Sequence, residues 1–137
     1  MPSLTETHWV FDLDGTLTVG IHDFVELRQR MGIAQHAPIL ESISKAEPAE
    51  AQRLNSIVED WEWELAERAE PAEGASALLD ALARVGCQVG ILTRNIKPIA
   101  LKTLKVTGLD GYFNVDDVLG RHDAPPKPEP GGVLRLL

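Results

Sequence analysis

Two carboxylates, Asp12 and Asp14, stand two residues apart in Phe11-Asp12-Leu13-Asp14-Gly15-Thr16, directly after the apolar run His8-Trp9-Val10-Phe11. The run reads as a short buried strand, and Gly15 marks the point where the chain turns out of the sheet. Side chains at i and i+2 of a strand share a side, so both acids can converge on one reacting group. That arrangement suits phosphoryl transfer through a covalent intermediate. One carboxylate attacks phosphorus, and the other moves a proton onto the leaving oxygen and off the entering one. The same hard oxygens suit Mg²⁺. A calcium loop is excluded, because it requires Gly where Leu17 stands and Glu where Asp23 stands. The alternative without chemistry is a pair of acids that caps a helix or solvates a loop.

A second group of candidates lies in Ile91-Leu92-Thr93-Arg94-Asn95, where an apolar run ends in a hydroxyl, a cation and an amide. Such a strand end, with a helix starting just after it, offers donors to phosphate oxygens. Thr followed by Asn is also ordinary helix-capping chemistry. Lys127 sits among the prolines of Pro125-Pro126-Lys127-Pro128-Glu129-Pro130, which stiffen its loop. Brought near Asp12, its ammonium would neutralise charge as two anions approach; otherwise it is a solvated lysine in a rigid turn. The four histidines, His8, His22, His36 and His122, have no zinc-helix spacing. His22, Arg28 and Arg30 can reach a leaving group or simply coat a solvated helix face.

These residues need elements to position them. Phe24, Val25, Leu27 and Met31 predict a helix ending at Gly32, and residues 38–45 a short second one. Leu54, Ile57, Val58, Trp61 and Leu65 form one apolar stripe, with Glu59, Asp60, Glu62, Glu64 and Glu67 on the remaining faces; Pro48 and Pro71 bound this third helix. Trp63 lies off the stripe and either covers a neighbouring loop or faces a cleft or partner. Ala75, Leu78, Leu79, Leu82 and Val85 then predict an amphipathic helix stopped by Gly86, and residues 88–92 a strand. A helix over about 98–106 ends at Gly108, and a further strand within 112–119 contains Val115 and Val118. Alternation of this kind implies an α/β protein with a parallel sheet, and ligands at the carboxyl ends of its strands.

The length of 137 residues allows one modest core and a small appended unit. The net charge of −8 argues against nucleic acid or an anionic membrane as partner, while a metal ion and a few cations can still admit an anionic substrate. The single cysteine, Cys87, permits no intrachain disulfide and no thiolate zinc cluster, and reads as a small buried hydrophobe at a strand start. With no signal-length apolar segment near the N-terminus, the expected location is cytoplasmic.

The string Asp12-Leu13-Asp14-Gly15-Thr16 resembles the opening motif of the haloacid dehalogenase superfamily, whose phosphatases and phosphomutases begin Asp-x-Asp-Gly-Thr. The resemblance implies a Rossmann-like core, Asp12 as nucleophile and Asp14 as general acid/base. The dehalogenases lack the second Asp, so Asp14 speaks for phosphate chemistry. Thr93 matches the hydroxyl that holds the phosphoryl group, and Lys127, in Lys-Pro-x-Pro, resembles the third motif. Gly15, Thr16, Arg94 and Asn95 are the expected substrate-binding residues, and Asp12 and Asp14 the expected ligands of Mg²⁺. The core is then 1–17 and 71–137, interrupted at 18–70 by a helical cap like that of phosphoglycolate phosphatase and β-phosphoglucomutase.

The family's fourth motif, one or two further Asp residues after the next strand, has no counterpart before Leu137. This implies an incomplete metal site and an open edge on the first strand, through which the chain could self-associate. The expectation is a fragment of a longer phosphatase; the alternative is a shortened protein completed by a partner. The expected activity is Mg²⁺-dependent hydrolysis of a small phosphorylated metabolite. A sugar phosphomutase and a non-catalytic interaction module are the alternatives.

Overall fold

The computed structural model describes residues 8–123. Three strands form a parallel sheet in the order β1 (His8–Phe11), β2 (Gln88–Leu92), β3 (Val118–Leu119). Between them run α1 (Phe24–Met31), α2 (Ile39–Ser44), α3 (Pro48–Glu67), α4 (Ala75–Arg84) and α5 (Lys97–Thr107). Phe11 pairs with Ile91, and Ile91 with Val118, so the carboxyl ends of all three strands lie at one edge. The fold class is α/β, as the alternation predicts.

Packing follows from the apolar stripes. Phe11 and Leu13 from β1 and its exit, Leu79 and Leu82 from α4, Ile91 from β2, Leu104 from α5 and Val118 from β3 make one buried cluster. Each fully buried Leu or Ile contributes about 1.5–3 kcal/mol relative to exposure. Cys87 joins this cluster as a small buried side chain just before β2. Leu78 and Val85 are exposed, unlike the rest of their predicted stripe, because α4 buries a narrow line at Ala75, Leu79 and Leu82.

Two strand expectations need correction. β1 is not a buried strand: Phe11 alone of its four residues is buried, and Trp9 is 36% exposed. The reason is position, since β1 is an edge of the sheet formed by the described residues. The predicted strand over 112–119 shrinks to Val118–Leu119, preceded by two 3₁₀ turns, Asp110–Tyr112 and Val115–Asp117. Val115 lies in the second turn, 58% exposed.

The described residues divide into two compact units, one formed by 8–20 with 66–123 and the other by Ile21–Leu65. The chain enters and leaves the second unit through a short zipper in the first. The Val19 N–H donates to the Glu70 carbonyl at 2.9 Å, and the Ala72 N–H to the Leu17 carbonyl at 2.9 Å, around a Thr18–Pro71 bridge. Those bonds draw 18–20 and 66–70 into the sheet-bearing unit.

The helical unit has its own core of Leu27, Met31, Leu54, Val58, Trp61 and Leu65. Glu62, predicted on the polar face of α3, is instead only 9% exposed. It lies four residues after Val58 and three before Leu65, on the stripe itself. Trp63 is partly exposed. Asp23 caps α1, its carboxylate accepting the Glu26 N–H at 3.1 Å. Asp23→Ala is expected to destabilise by about 1 kcal/mol, measured by urea unfolding.

Candidate functional site

Past the β1–β2 ladder the strand alternation persists for three more residues. Phe11 and Leu13 point into the core, while Asp12 is exposed and Asp14 partly exposed. Both acids therefore leave the chain on the side away from the core, at the carboxyl end of β1. The turn that follows is wound around the Leu13 carbonyl. It accepts the N–H groups of Thr16 at 3.2 Å, Leu17 at 3.0 Å and Thr18 at 3.2 Å, and the Thr18 hydroxyl at 3.4 Å. Gly15 makes this turn possible with φ +79°, a conformation costly to a residue with a Cβ. Asp12 Oδ1 accepts the Leu13 N–H at 3.0 Å.

A side-chain pair links the two strand ends. Asn95 Nδ2 donates to Asp14 Oδ2 at 2.5 Å. Asn95 is 8% exposed and its own backbone is fixed on both sides. Its N–H donates to Thr93 Oγ1 at 3.2 Å, and its carbonyl accepts the Arg121 N–H at 2.8 Å. Thr93 is buried and its N–H donates to the Leu119 carbonyl at 3.0 Å, which ties the loop after β2 to β3. The Thr93–Asn95 contact is not a helix cap, because α5 begins at Lys97 with Ile96 as its cap residue.

The geometry thus brings Asp14, Asn95 and Thr93 together and sets Asp12 one residue beyond the same sheet edge. Asn95, expected at substrate, has its amide directed to Asp14. Thr16 is exposed, with its N–H donating to Leu13, and Arg94 is exposed, with its carbonyl accepting Arg121 Nε at 2.9 Å. Lys127 lies outside the described residues. In the helical unit, Arg28 donates to the Ala37 carbonyl at 3.0 Å, and Arg30 bonds Glu64 and Glu26 at 2.6 Å each. The bonds to Glu64 and then Glu26 hold the Arg30 guanidinium above its ordinary pKa. His22 meets Trp61 edge to face, with centroids 5.3 Å apart.

The Asp12 carboxylate and the Asp14 backbone carbonyl offer hard oxygens of the kind Mg²⁺ takes. Among the described residues no cluster of three His, Cys, Asp or Glu surrounds a cation position. Mg²⁺ ordinarily takes one or two carboxylates and completes its octahedron with water and phosphate oxygens, so this donor set fits the ion in kind. No helix among the described residues is long and apolar enough to cross a membrane.

Gly120, outside every sequence motif, also shapes this edge. A methyl group at Gly120 would stand 2.5 Å from the Lys97 nitrogen and 2.8 Å from the Asn95 carbonyl oxygen. Its trace in the sequence is a glycine directly after an apolar strand run, which marks a close backbone approach.

Comparison with known proteins agrees with this architecture. The chain is 28% identical over 93% of its length to a haloacid dehalogenase-like hydrolase domain-containing protein of Arabidopsis thaliana, and spans 55% of that relative's length. Among solved structures, a hydrolase from Pseudomonas syringae superposes with a TM-score of 0.71 at 23% identity, covering 94% of this chain and 66% of that one. A protein of Haemophilus somnus described as a predicted phosphoglycolate phosphatase gives 0.66 at 19% identity, covering 93% and 68%. The family model for haloacid dehalogenase-like hydrolases matches residues 8–137, and with that match over the strand ends that carry Asp12, Asp14 and Thr93 the chain belongs to this family.

Proposed function

We propose that this chain carries the catalytic residues of a phosphatase acting on a small phosphate monoester. The observation that carries the reading is the Asp14–Asn95 bond beside Thr93, with Asp12 exposed one residue past β1 at the same edge. Family membership and the resemblance to a predicted phosphoglycolate phosphatase support it.

In this reading an Asp12 carboxylate oxygen forms a bond to phosphorus as the ester P–O bond breaks, giving an aspartyl phosphate. Asp14 delivers its proton to the departing alkoxide. Water then attacks phosphorus, Asp14 takes its proton, the acyl-phosphate bond breaks, and inorganic phosphate leaves. Thr93 and the neighbouring backbone N–H groups hold the phosphoryl oxygens, and Lys127 neutralises charge between the two anions. The Asp12 carboxylate and the Asp14 backbone carbonyl would hold Mg²⁺, which when bound withdraws charge from the phosphoryl oxygens and leaves the Asp14 carboxylate to move protons.

The test is release of inorganic phosphate from para-nitrophenyl phosphate by the purified protein, with and without a chelator. Release that stops on chelation and returns with Mg²⁺ supports the reading. Release indifferent to Mg²⁺, or none at all, overturns it. Conversion of a sugar phosphate to its isomer without free phosphate would instead identify a mutase.

A further inference from the structure

We propose that Asn95 is the positioning residue for Asp14, fixing the plane and reach of the carboxylate that moves protons at the leaving group. The inference rests on the phosphatase reading above and assigns Asn95 to the acid rather than to substrate.

The amide carries two N–H donors, and a carboxylate only accepts, so Nδ2 must face Asp14. The donor is uncharged at every working pH and cannot itself exchange a proton with the carboxylate. Its placement is settled before substrate arrives. Asn95 is nearly buried, its N–H is spent on Thr93, its carbonyl on Arg121, and Gly120 lies against its backbone. A side chain held at both ends of its own peptide unit loses little further entropy when it orients a partner. Asp14, by contrast, sits in a turn closed by glycine, and the Asn95 amide on its Oδ2 favours one of the rotamers open to that carboxylate.

Proton delivery matters most for a poor leaving group. An alkyl phosphate expels an alkoxide that needs its proton in the transition state, whereas para-nitrophenolate leaves nearly unaided. A misplacement of about 1 Å costs on the order of 10²-fold in rate. Asn95→Ala is therefore expected to lower kcat for an alkyl phosphate about 10²-fold more than kcat for para-nitrophenyl phosphate, with KM for the alkyl ester changed less than kcat. The ratio of the two rates is taken on one sample, so any loss of folded protein cancels. In an Asp14→Asn background the ratio has already fallen, and adding Asn95→Ala moves it by no more than about two-fold, because the two residues act as a unit.

A second measurement needs no turnover. In the ¹⁵N–¹H spectrum one Asn95 side-chain amide proton is expected downfield of the other asparagines, and this displacement disappears in Asp14→Ala. An active wild-type protein whose Asn95→Ala variant loses both esters equally overturns the inference alone, as does an Asn95 amide resonance unmoved by Asp14→Ala. A wild-type protein inactive on both esters overturns the phosphatase reading and this inference with it.

Discussion

Asp12→Asn is expected to reduce phosphate release by about 10³-fold or more while leaving the fold intact, a loss typical of removing a covalent nucleophile. Asparagine is nearly isosteric with aspartate, and its Oδ1 can still accept the Leu13 N–H that Asp12 accepts at 3.0 Å. Asp12 is exposed and outside the apolar cluster, so the change in stability should stay within about 0.5 kcal/mol. The amide lacks the anionic oxygen that attacks phosphorus, and the loss should therefore fall on kcat rather than on folding. Mass spectrometry of acid-quenched wild-type protein is expected to show a phosphoryl adduct on the peptide containing Asp12, absent from the variant. Retention of more than about a tenth of wild-type turnover would show that another group is the nucleophile.

The parts of this molecule that could be read from the chain are those set by short-range rules. α1 ends at Gly32 and α5 at Gly108, because an apolar stripe followed by glycine has few other outcomes. β2 appears at Gln88–Leu92, as its apolar run between Gly86 and Thr93 requires. What escaped depended on neighbours distant in sequence. The exposure of Trp9 follows from the place of β1 in the sheet order, and no period-2 pattern within four residues reports that order. Val115 carries β propensity, yet the chain there must turn twice before it can pair with β2. Asp14 and Asn95 stand 81 residues apart, so an Asp and an Asn were legible as candidates but their bond was not. Glu62 differs for another reason: its charge argues for the solvent face, while its register sets it on the buried line from Val58 to Leu65.

The same dependence on distant contacts makes Gly120→Ala a severe substitution at a position with no chemistry of its own. The new methyl would lie 2.5 Å from the Lys97 nitrogen, 2.8 Å from the Asn95 oxygen and 3.0 Å from the Ile96 carbonyl carbon. All three are backbone atoms, which cannot swing aside as a side-chain tip would. Relief requires the loop 93–97 or the segment after β3 to move. Either shift strains the Thr93–Leu119 and Asn95–Arg121 bonds that join them. Overpacking of this kind costs about 1–3 kcal/mol, and the rigid partners place this case near the upper end. A loss of about 3 kcal/mol lowers the thermal midpoint of a domain this size by roughly 10 °C. Because the displaced loop carries Asn95, the folded remainder should also lose turnover of alkyl phosphates more than of para-nitrophenyl phosphate. A Gly120→Ala protein with an unchanged midpoint would mean that the backbone at 95–97 has room the close approach denies it. One with a lowered midpoint but an unchanged ratio of the two rates would uncouple the loop's packing from the placement of Asp14.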